Sequence, residues 1–217
     1  MQAQAVIDRA RLALHDDDGV RWPDPELLMY VADGQHMVAN VKPTATATTV
    51  HRSLAAGSTR QQAPNDCALV LNVIRNVGGR AVVMTSKKAL DAMIADWHSD
   101  QDSEVEHWVY DMTEDRDVFY VHPAPAQALE VEIVYSRRPP ASVQVGDELM
   151  LSDQYINALI DWVLYRAFGK DSDYGGNLNR AQMHLQAAAT SLGVRTESLR
   201  FMDPNRKRRG GETGGQV

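Results

Sequence analysis

The strongest apolar periodicity in the chain lies near its C-terminal end and predicts an amphipathic helix. From Ile156 to Phe168, apolar residues recur at spacings of three and one, which places them on one side of a helix. A second apolar stripe, from Leu178 to Leu192, recurs at spacings of three and four. The two apolar faces can meet only if the chain reverses direction between the helices. Residues 170–177 are therefore predicted to form the turn of a helical hairpin.

This turn, KDSDYGGN, begins like a calcium-binding loop. Counted from Asp171, the carboxylate of Asp173 and the glycine at Gly176 fit the EF-hand pattern. However, Gly175 stands where an oxygen ligand is needed at position 5, and Gln182 stands where a bidentate glutamate is needed at position 12. We therefore predict a structural turn, with no metal and no cofactor. The residues assigned to it are Gly169, Asp171, Asp173, Gly175 and Gly176.

Two further helices are predicted at the N-terminal end. Residues 3–15 place alanine, valine, isoleucine and leucine side chains on one face. Asp24 is placed to cap a second helix, with Pro25 at its first position, where a missing N–H is tolerated. Apolar residues continue at helical spacing to about Asn40, and Pro43 ends the pattern.

Between these helical ends the apolar period changes to two, which is typical of strands. Strands are predicted at 105–110, 118–122 and 129–135, with a hairpin about residues 76–79. Residues 57–66 are predicted to be a loop, and Ser86 to cap a short helix over 86–94 that ends near Trp97 and His98.

The change of period predicts an α+β fold, with a helical bundle formed by the N- and C-terminal helices, an inserted β-rich domain and a flexible C-terminal tail. The predicted limits are 1–43 and 146–200 for the bundle, 44–145 for the insert, and 201–217 for the tail. The tail sequence is rich in glycine and charge and poor in apolar residues, so it cannot bury enough surface to order by itself.

Charge is distributed unevenly along the chain, whose net charge is −7. Between Asp91 and Asp117 there are ten carboxylates and a single base, Arg116. Such a segment repels the DNA backbone, because DNA binding requires lysine and arginine to displace counterions. The tail instead carries a basic run that is a candidate contact for a protein partner: Arg206, Lys207, Arg208 and Arg209.

Other features exclude several classes of protein. No apolar run approaches the ~20 residues that span a bilayer, and the N-terminus does not have the pattern of a secretory signal, so no membrane contact is expected. The single cysteine, Cys67, excludes an internal disulfide and is predicted to be a buried apolar residue. Nucleophile elbows, dinucleotide fingerprints and phosphate-binding loops are all absent from the sequence, so an enzyme is not expected.

Several stretches together resemble the head-to-tail adaptor (connector) proteins of tailed bacteriophages, especially phages with short tails. They are RWPDPELLMYVADGQHMVANVKPTA at 21–45, TRQQAPNDCALVLNVIRNVG at 59–78, EIVYSRRPP at 132–140 and LSDQYINALIDWVLYRAFGKDSDYGGNLNRAQMHLQAAATSLG at 151–193. The last stretch is the most specific. The tail has no counterpart in the pattern.

The resemblance implies a structural virion protein that forms a homo-oligomeric ring, typically of twelve subunits, beneath the portal protein. Such a ring lies in the neck or tail of the virion and is assembled in the host cytoplasm. It extends the DNA channel and gives the tail or nozzle protein a surface to bind. Genomic DNA passes through it without specific binding, and the tail segment 203–217 is then expected to be an arm that docks on the portal.

Two other functions remain open from the residues alone. One is a DNA-binding protein that uses the basic tail. The other is a metal-dependent hydrolase that uses His98 with its acidic neighbours Asp96, Asp100 and Asp102, although a solvated acidic loop explains the same residues. His107 and His122 lie on predicted strands that could pair with each other.

Overall fold

The computed structural model describes residues 1–112, 115–171, 175–196 and Leu199. Within them the α+β class is confirmed. The α-helices are α1 (Ala3–Leu14), α2 (Asp24–Val41), α3 (Lys87–Met93), α4 (Ile156–Lys170) and α5 (Asn177–Leu192). The strands are β1 (Ala47–Leu54), β2 (Arg60–Gln62), β3 (Cys67–Asn76), β4 (Val83–Met84), β5 (Gln101–Asp102), β6 (His107–Val109), β7 (Val118–His122), β8 (Ala124–Pro125) and β9 (Leu129–Arg137).

The chain divides into two compact units. One consists of Lys42–Pro140, and the other combines Met1–Val41 with the described residues from Ala141 onward. The helical bundle predicted at 1–43 with 146–200 and the β-rich insert predicted at 44–145 stay a prediction. The arm predicted at 201–217 lies outside the described residues.

The helical unit is centred on α4, which packs against α1, α2 and α5. The predicted apolar face of α4 is inside, since Leu159, Trp162 and Val163 are fully buried. Helix α2 approaches α4 closely at Gly34, where an added Cβ would lie 2.9 Å from Leu159 Cδ2 and 3.0 Å from Trp162 Cδ1. A glycine is therefore required at this crossing by the space available.

Two details of the predicted helices are wrong. Asp24 does not cap α2: the helix begins at Asp24, and its carboxylate accepts a hydrogen bond from Arg11 of α1 instead. Leu178 was expected on the buried stripe of α5, but it is about half exposed. The inward position in this first turn is taken by Asn177, whose amide donates to the Asp171 backbone oxygen at 3.3 Å and to its carboxylate at 3.1 Å.

The β unit contains two main sheets and a small parallel pair, β5 with β8. Antiparallel β9 lies between β1 and β3, and a second sheet has the order β2-β7-β6-β4. Strand β1 pairs with β9 over its whole length, from Ala47 opposite Ser136 to Leu54 opposite Leu129. Residues from both sheets form one core, which includes Val70, Trp108, Phe119, Val121 and Ile133.

Within this unit the predicted hairpin about residues 76–79 is only one bridge long. The chain turns there, with the Asn76 N–H donating to the Arg80 oxygen and a bridge joining Arg75 to Ala81. Strand β4 then leaves β3 to pair in parallel with β6. The predicted loop at 57–66 also contains β2, a short polar strand without the apolar alternation that predicts strands. The strands predicted at 118–122 and 129–135 are confirmed. The helix capped by Ser86 is also confirmed, but it ends at Met93 and not near Trp97.

Candidate functional site

The α4–α5 turn is held by charged and polar contacts rather than by an apolar core. The Asp171 carboxylate pairs with Arg21, which follows α1, and accepts a hydrogen bond from Asn177. Gly176 has φ of +97°, a left-handed conformation that strongly favours glycine. Gly169 lies in the last turn of α4, Gly175 lies just before α5, and Asp173 lies outside the described residues. An open cleft of about 390 Å³ adjoins the turn, and its lining includes Trp22, Phe168 and Arg180.

Because the Asp171 carboxylate is occupied by Arg21 and Asn177, we expect calcium to have no effect on this turn. The melting temperature of the full chain should be the same in excess calcium and in a chelator, for wild type and for the Asp171→Asn, Asp173→Asn double variant. The double variant itself should melt lower in both conditions, because it loses the ion pair with Arg21. A rise of several degrees in calcium that only the wild type shows would restore the metal interpretation.

The connection between α1 and α2 is organised by Asp16, the first of three consecutive aspartates. Its Oδ1 accepts hydrogen bonds from the N–H groups of Val20 at 3.1 Å and Arg21 at 3.2 Å, and its Oδ2 accepts one from Trp22 at 2.9 Å. Desolvation alone would raise the pKa of the Asp16 carboxyl. The three N–H groups and the guanidinium of Arg11 outweigh it, so the pKa lies below its ordinary value.

We expect Asp16→Asn to lower the melting temperature at pH 7 by several degrees. The carboxylate accepts hydrogen bonds from three backbone N–H groups through two oxygens, whereas the amide has only one acceptor oxygen and no charge. A lowered folded pKa means that this stabilisation is complete above the unfolded pKa of about 4 and is lost as the pH falls through the folded value. The melting difference between wild type and Asp16→Asn should therefore shrink on acidification below about pH 4. Asp17→Asn is the matched control, since the Asp17 side chain is exposed. Equal effects of the two substitutions would contradict this role for Asp16.

His98 does not lie on a strand with its acidic neighbours. Its ring stacks on Trp97 with centroids 3.7 Å apart, and its Nδ1 lies 2.9 Å from the Thr59 hydroxyl. The predicted pairing of the strands that carry His107 and His122 is confirmed, and the two residues lie opposite each other on β6 and β7. Of the neighbouring carboxylates, Asp100 lies 3.3 Å from His122 Nε2. Among the described residues, no group of three or more His, Cys, Asp or Glu side chains is arranged to hold a metal ion.

The acidic segment from Asp91 to Asp117 is partly neutralised inside the β unit. Asp115 pairs with Arg60, and Glu106 pairs with Arg80. Most of the remaining described carboxylates of the segment are exposed, so the segment presents negative charge to its surroundings. The four basic residues predicted to dock on the portal, at positions 206–209, lie outside the described residues.

Two groups of exposed apolar side chains on the helical unit were not predicted from the sequence. One group is Leu12 on α1, Val20 in the α1–α2 connection and Met29 on α2, all more than half exposed. The other is the outer face of α5, where Met183 is exposed among uncharged residues. A signal for the second surface was present in the sequence, because residues 181–194 contain no Asp, Glu, Lys or Arg.

Comparison with known families gives one finding that covers nearly the whole chain. The model of the family described as SU10 adaptor protein matches residues 1–208. No curated protein matches the chain. None of the helices within the described residues is long and apolar enough to cross a bilayer.

Proposed function

Because the chain belongs to the SU10 adaptor protein family, the structural adaptors of bacteriophages, we propose that it forms a ring that joins the portal to the tail. An adaptor of this kind is a component of the virion neck and associates with portal and tail proteins. The proposed ring has twelve subunits, extends the DNA channel and is assembled in the host cytoplasm. Its role is structural and involves no catalysis.

The observation that carries this proposal is the family match over residues 1–208. The match includes both helical ends of the chain and all of the β-rich middle, so it concerns the architecture as a whole and not a single motif. It ends inside the basic run, at Arg208, so the first eight of the seventeen residues of the proposed arm fall within the matched region.

The charge of the chain supports a channel through which DNA passes without binding. The chain has a net charge of −7, and the segment from Asp91 to Asp117 is its most acidic part. A negatively charged channel surface offers phosphates few lysine or arginine side chains that could displace their counterions, so DNA can slide through the channel during packaging and ejection. In this proposal genomic DNA is a passing partner that binds no specific site.

We assign three parts to the subunit. The helical bundle of residues 1–43 and 146–200 forms the body of the ring, and the β-rich insert of 44–145 offers a surface to the tail or nozzle protein. The arm of 201–217 reaches the portal, where Arg206, Lys207, Arg208 and Arg209 make charge-assisted bonds to carboxylates. The α4–α5 turn, with Gly169, Asp171, Asp173, Gly175 and Gly176, keeps the bundle helices antiparallel and has no ligand.

The test is electron microscopy of the purified full chain mixed with DNA-free portal rings of the same phage. The proposal expects a second layer on one face of the portal, with twelve subunits around an open channel. The same preparation is titrated with short duplex DNA over a range of salt concentrations. Salt-sensitive DNA binding by single copies, without any addition to the portal, would contradict the proposal and favour a DNA-binding protein.

A further inference from the structure

The outer face of α5 differs from an ordinary solvent-exposed helix face because it has no charge. Gln182, Met183, Gln186 and Thr190 lie on this side and are all exposed. At 24% charged residues, the fourteen positions from 181 to 194 would carry about three charges, yet they carry none. Exposed helix faces are normally charged, whereas protein interfaces are depleted of charge at their centres and enriched in methionine.

The opposite side of α5 packs inside the helical unit. Ala181, Leu185 and Ala188 are buried. His184 fixes the helix to α4, since its Nδ1 lies 2.9 Å from the Asp161 carboxylate and its ring stacks on Phe168. Within the part of the chain that the structure describes, the uncharged outer face is therefore not used for packing.

The other group of exposed apolar side chains, Leu12, Val20 and Met29, lies on the part of the helical unit formed by α1 and α2. Asp17 and Asp18 are exposed beside Val20. Four of the other five acids of residues 1–41 pair with arginine or lysine within the helical unit. The α1–α2 connection therefore combines an exposed apolar side chain with two exposed negative charges.

The α5 surface has the opposite charge at its edges. Between residues 177 and 195 the chain carries two bases, Arg180 and Arg195, and no acid. Both arginines are exposed. One subunit thus carries two different surfaces, each with exposed apolar groups, and their charges are complementary.

Two different complementary surfaces on one chain are what a head-to-tail contact between identical subunits requires, and such contacts close into rings. We propose that the outer face of α5 in one copy packs against the α1–α2 part of the next copy, around Val20. This inference rests on the ring of the proposed function and identifies its subunit interface. A two-fold α5–α5 contact is disfavoured because it would bring like charges together.

The first test compares Met183→Glu with Met93→Glu on DNA-free portal rings, by counting bound subunits with mass photometry. Both methionines are highly exposed, at 62% and 79%, so both variants should keep the melting temperature of wild type. Met183→Glu would bury a carboxylate at the proposed interface between copies, so the protein concentration that completes the ring of copies on the portal should rise at least tenfold. Single copies of this variant should still bind the portal, because the substitution lies outside the docking arm. Met93→Glu should fill the layer as wild type does.

The outcomes of this test separate the interface from the ring. Filling of the layer by Met183→Glu at the wild-type concentration would overturn the interface and leave the ring intact. Loss of even the first bound copy would also overturn it, because the α5 face would then contact the portal. If no wild-type copy joined the portal, the proposed function itself would fail.

The second test locates the contact by cross-linking. Met183→Cys is mixed with Leu12→Cys, Val20→Cys or Met29→Cys in turn, on portal rings and with a short bismaleimide. Burial raises the pKa of the native Cys67 thiol to about 11, so this residue should not react. At least one mixture should give a cross-linked dimer, and Met183→Cys alone should give none. Absence of any mixed dimer, or a dimer of Met183→Cys alone, would overturn the head-to-tail interface.

Discussion

Replacing Gly34 with leucine should destabilise the helical unit by about 3 kcal/mol, the upper part of the usual cost of overpacking a core. The Cβ alone would lie 2.9 Å from Leu159 Cδ2 and 3.0 Å from Trp162 Cδ1. Both neighbours are fully buried, so neither has an open direction in which to move. The remaining leucine atoms would force α2 and α4 apart and expose part of the apolar face of α4 to water.

The measurement is thermal unfolding followed by helix-sensitive circular dichroism. For a chain of this length, about 3 kcal/mol corresponds to a drop of roughly 6–12 °C in melting temperature. Gly34→Ala should fall between wild type and Gly34→Leu, because it adds the crowded Cβ but gains helix propensity of up to about 1 kcal/mol.

Gly169→Ala is the matched control for this substitution. Gly169 also lies in a helix, but apart from its chain neighbours and the backbone of its own helix, no atom of the described residues lies within 4 Å of its added Cβ. Alanine there should leave the melting temperature unchanged or raise it slightly. Equal melting temperatures for Gly34→Leu and wild type would show that α2 and α4 do not approach each other as closely as described.

The sequence predicted those parts of the fold that depend on local pattern. Repeated apolar spacing places α4 at Ile156–Lys170 and α5 at Asn177–Leu192, within a residue or two of expectation. The pairing of the two strands that carry His107 and His122 was also accessible, because these strands are close in sequence. Local periodicity was sufficient for these elements, and the resemblance to phage adaptors is confirmed by the family match.

What sequence reasoning missed depends on contacts between distant residues. Asp24 does not cap its helix because its carboxylate binds Arg11, thirteen residues earlier in the chain. Strand β4 pairs with β6 and not with its neighbour β3, a choice made by tertiary packing and not by the turn at 76–79. Asp16 cannot be distinguished from Asp17 by type, because only the path of the following loop brings three N–H groups to its carboxylate.

The candidate assembly surface shows a different kind of limit. The charge-free stretch at 181–194 is visible in the sequence, but periodicity alone does not say which side of α5 is covered by α4. The contacts of His184 with Asp161 and Phe168 decide this, and they turn Met183 outward. Only then does the uncharged face become a candidate interface.

Truncation after Met202 should abolish stable joining of the chain to portal rings while leaving the fold intact. The removed segment, 203–217, has few apolar residues, so its loss should leave the melting temperature unchanged. Truncation after Arg209 is the matched control, because it removes GGETGGQV but keeps the basic run. Co-sedimentation with DNA-free portal should therefore recover the longer variant and lose the shorter one.

A second variant separates the charge of the arm from its length. Serine at positions 206–209 keeps the length of the arm but removes its four positive charges. An exposed ion pair contributes up to about 1 kcal/mol, so four of them correspond to a loss of affinity on the order of tenfold to a thousandfold. The binding that remains should depend less on salt, because screening acts mainly on exposed pairs.

Full binding of DNA-free portal by the chain truncated after Met202 would show that the arm is dispensable. Binding that appears only with DNA-filled portal would assign the basic run to phosphate instead of portal carboxylates.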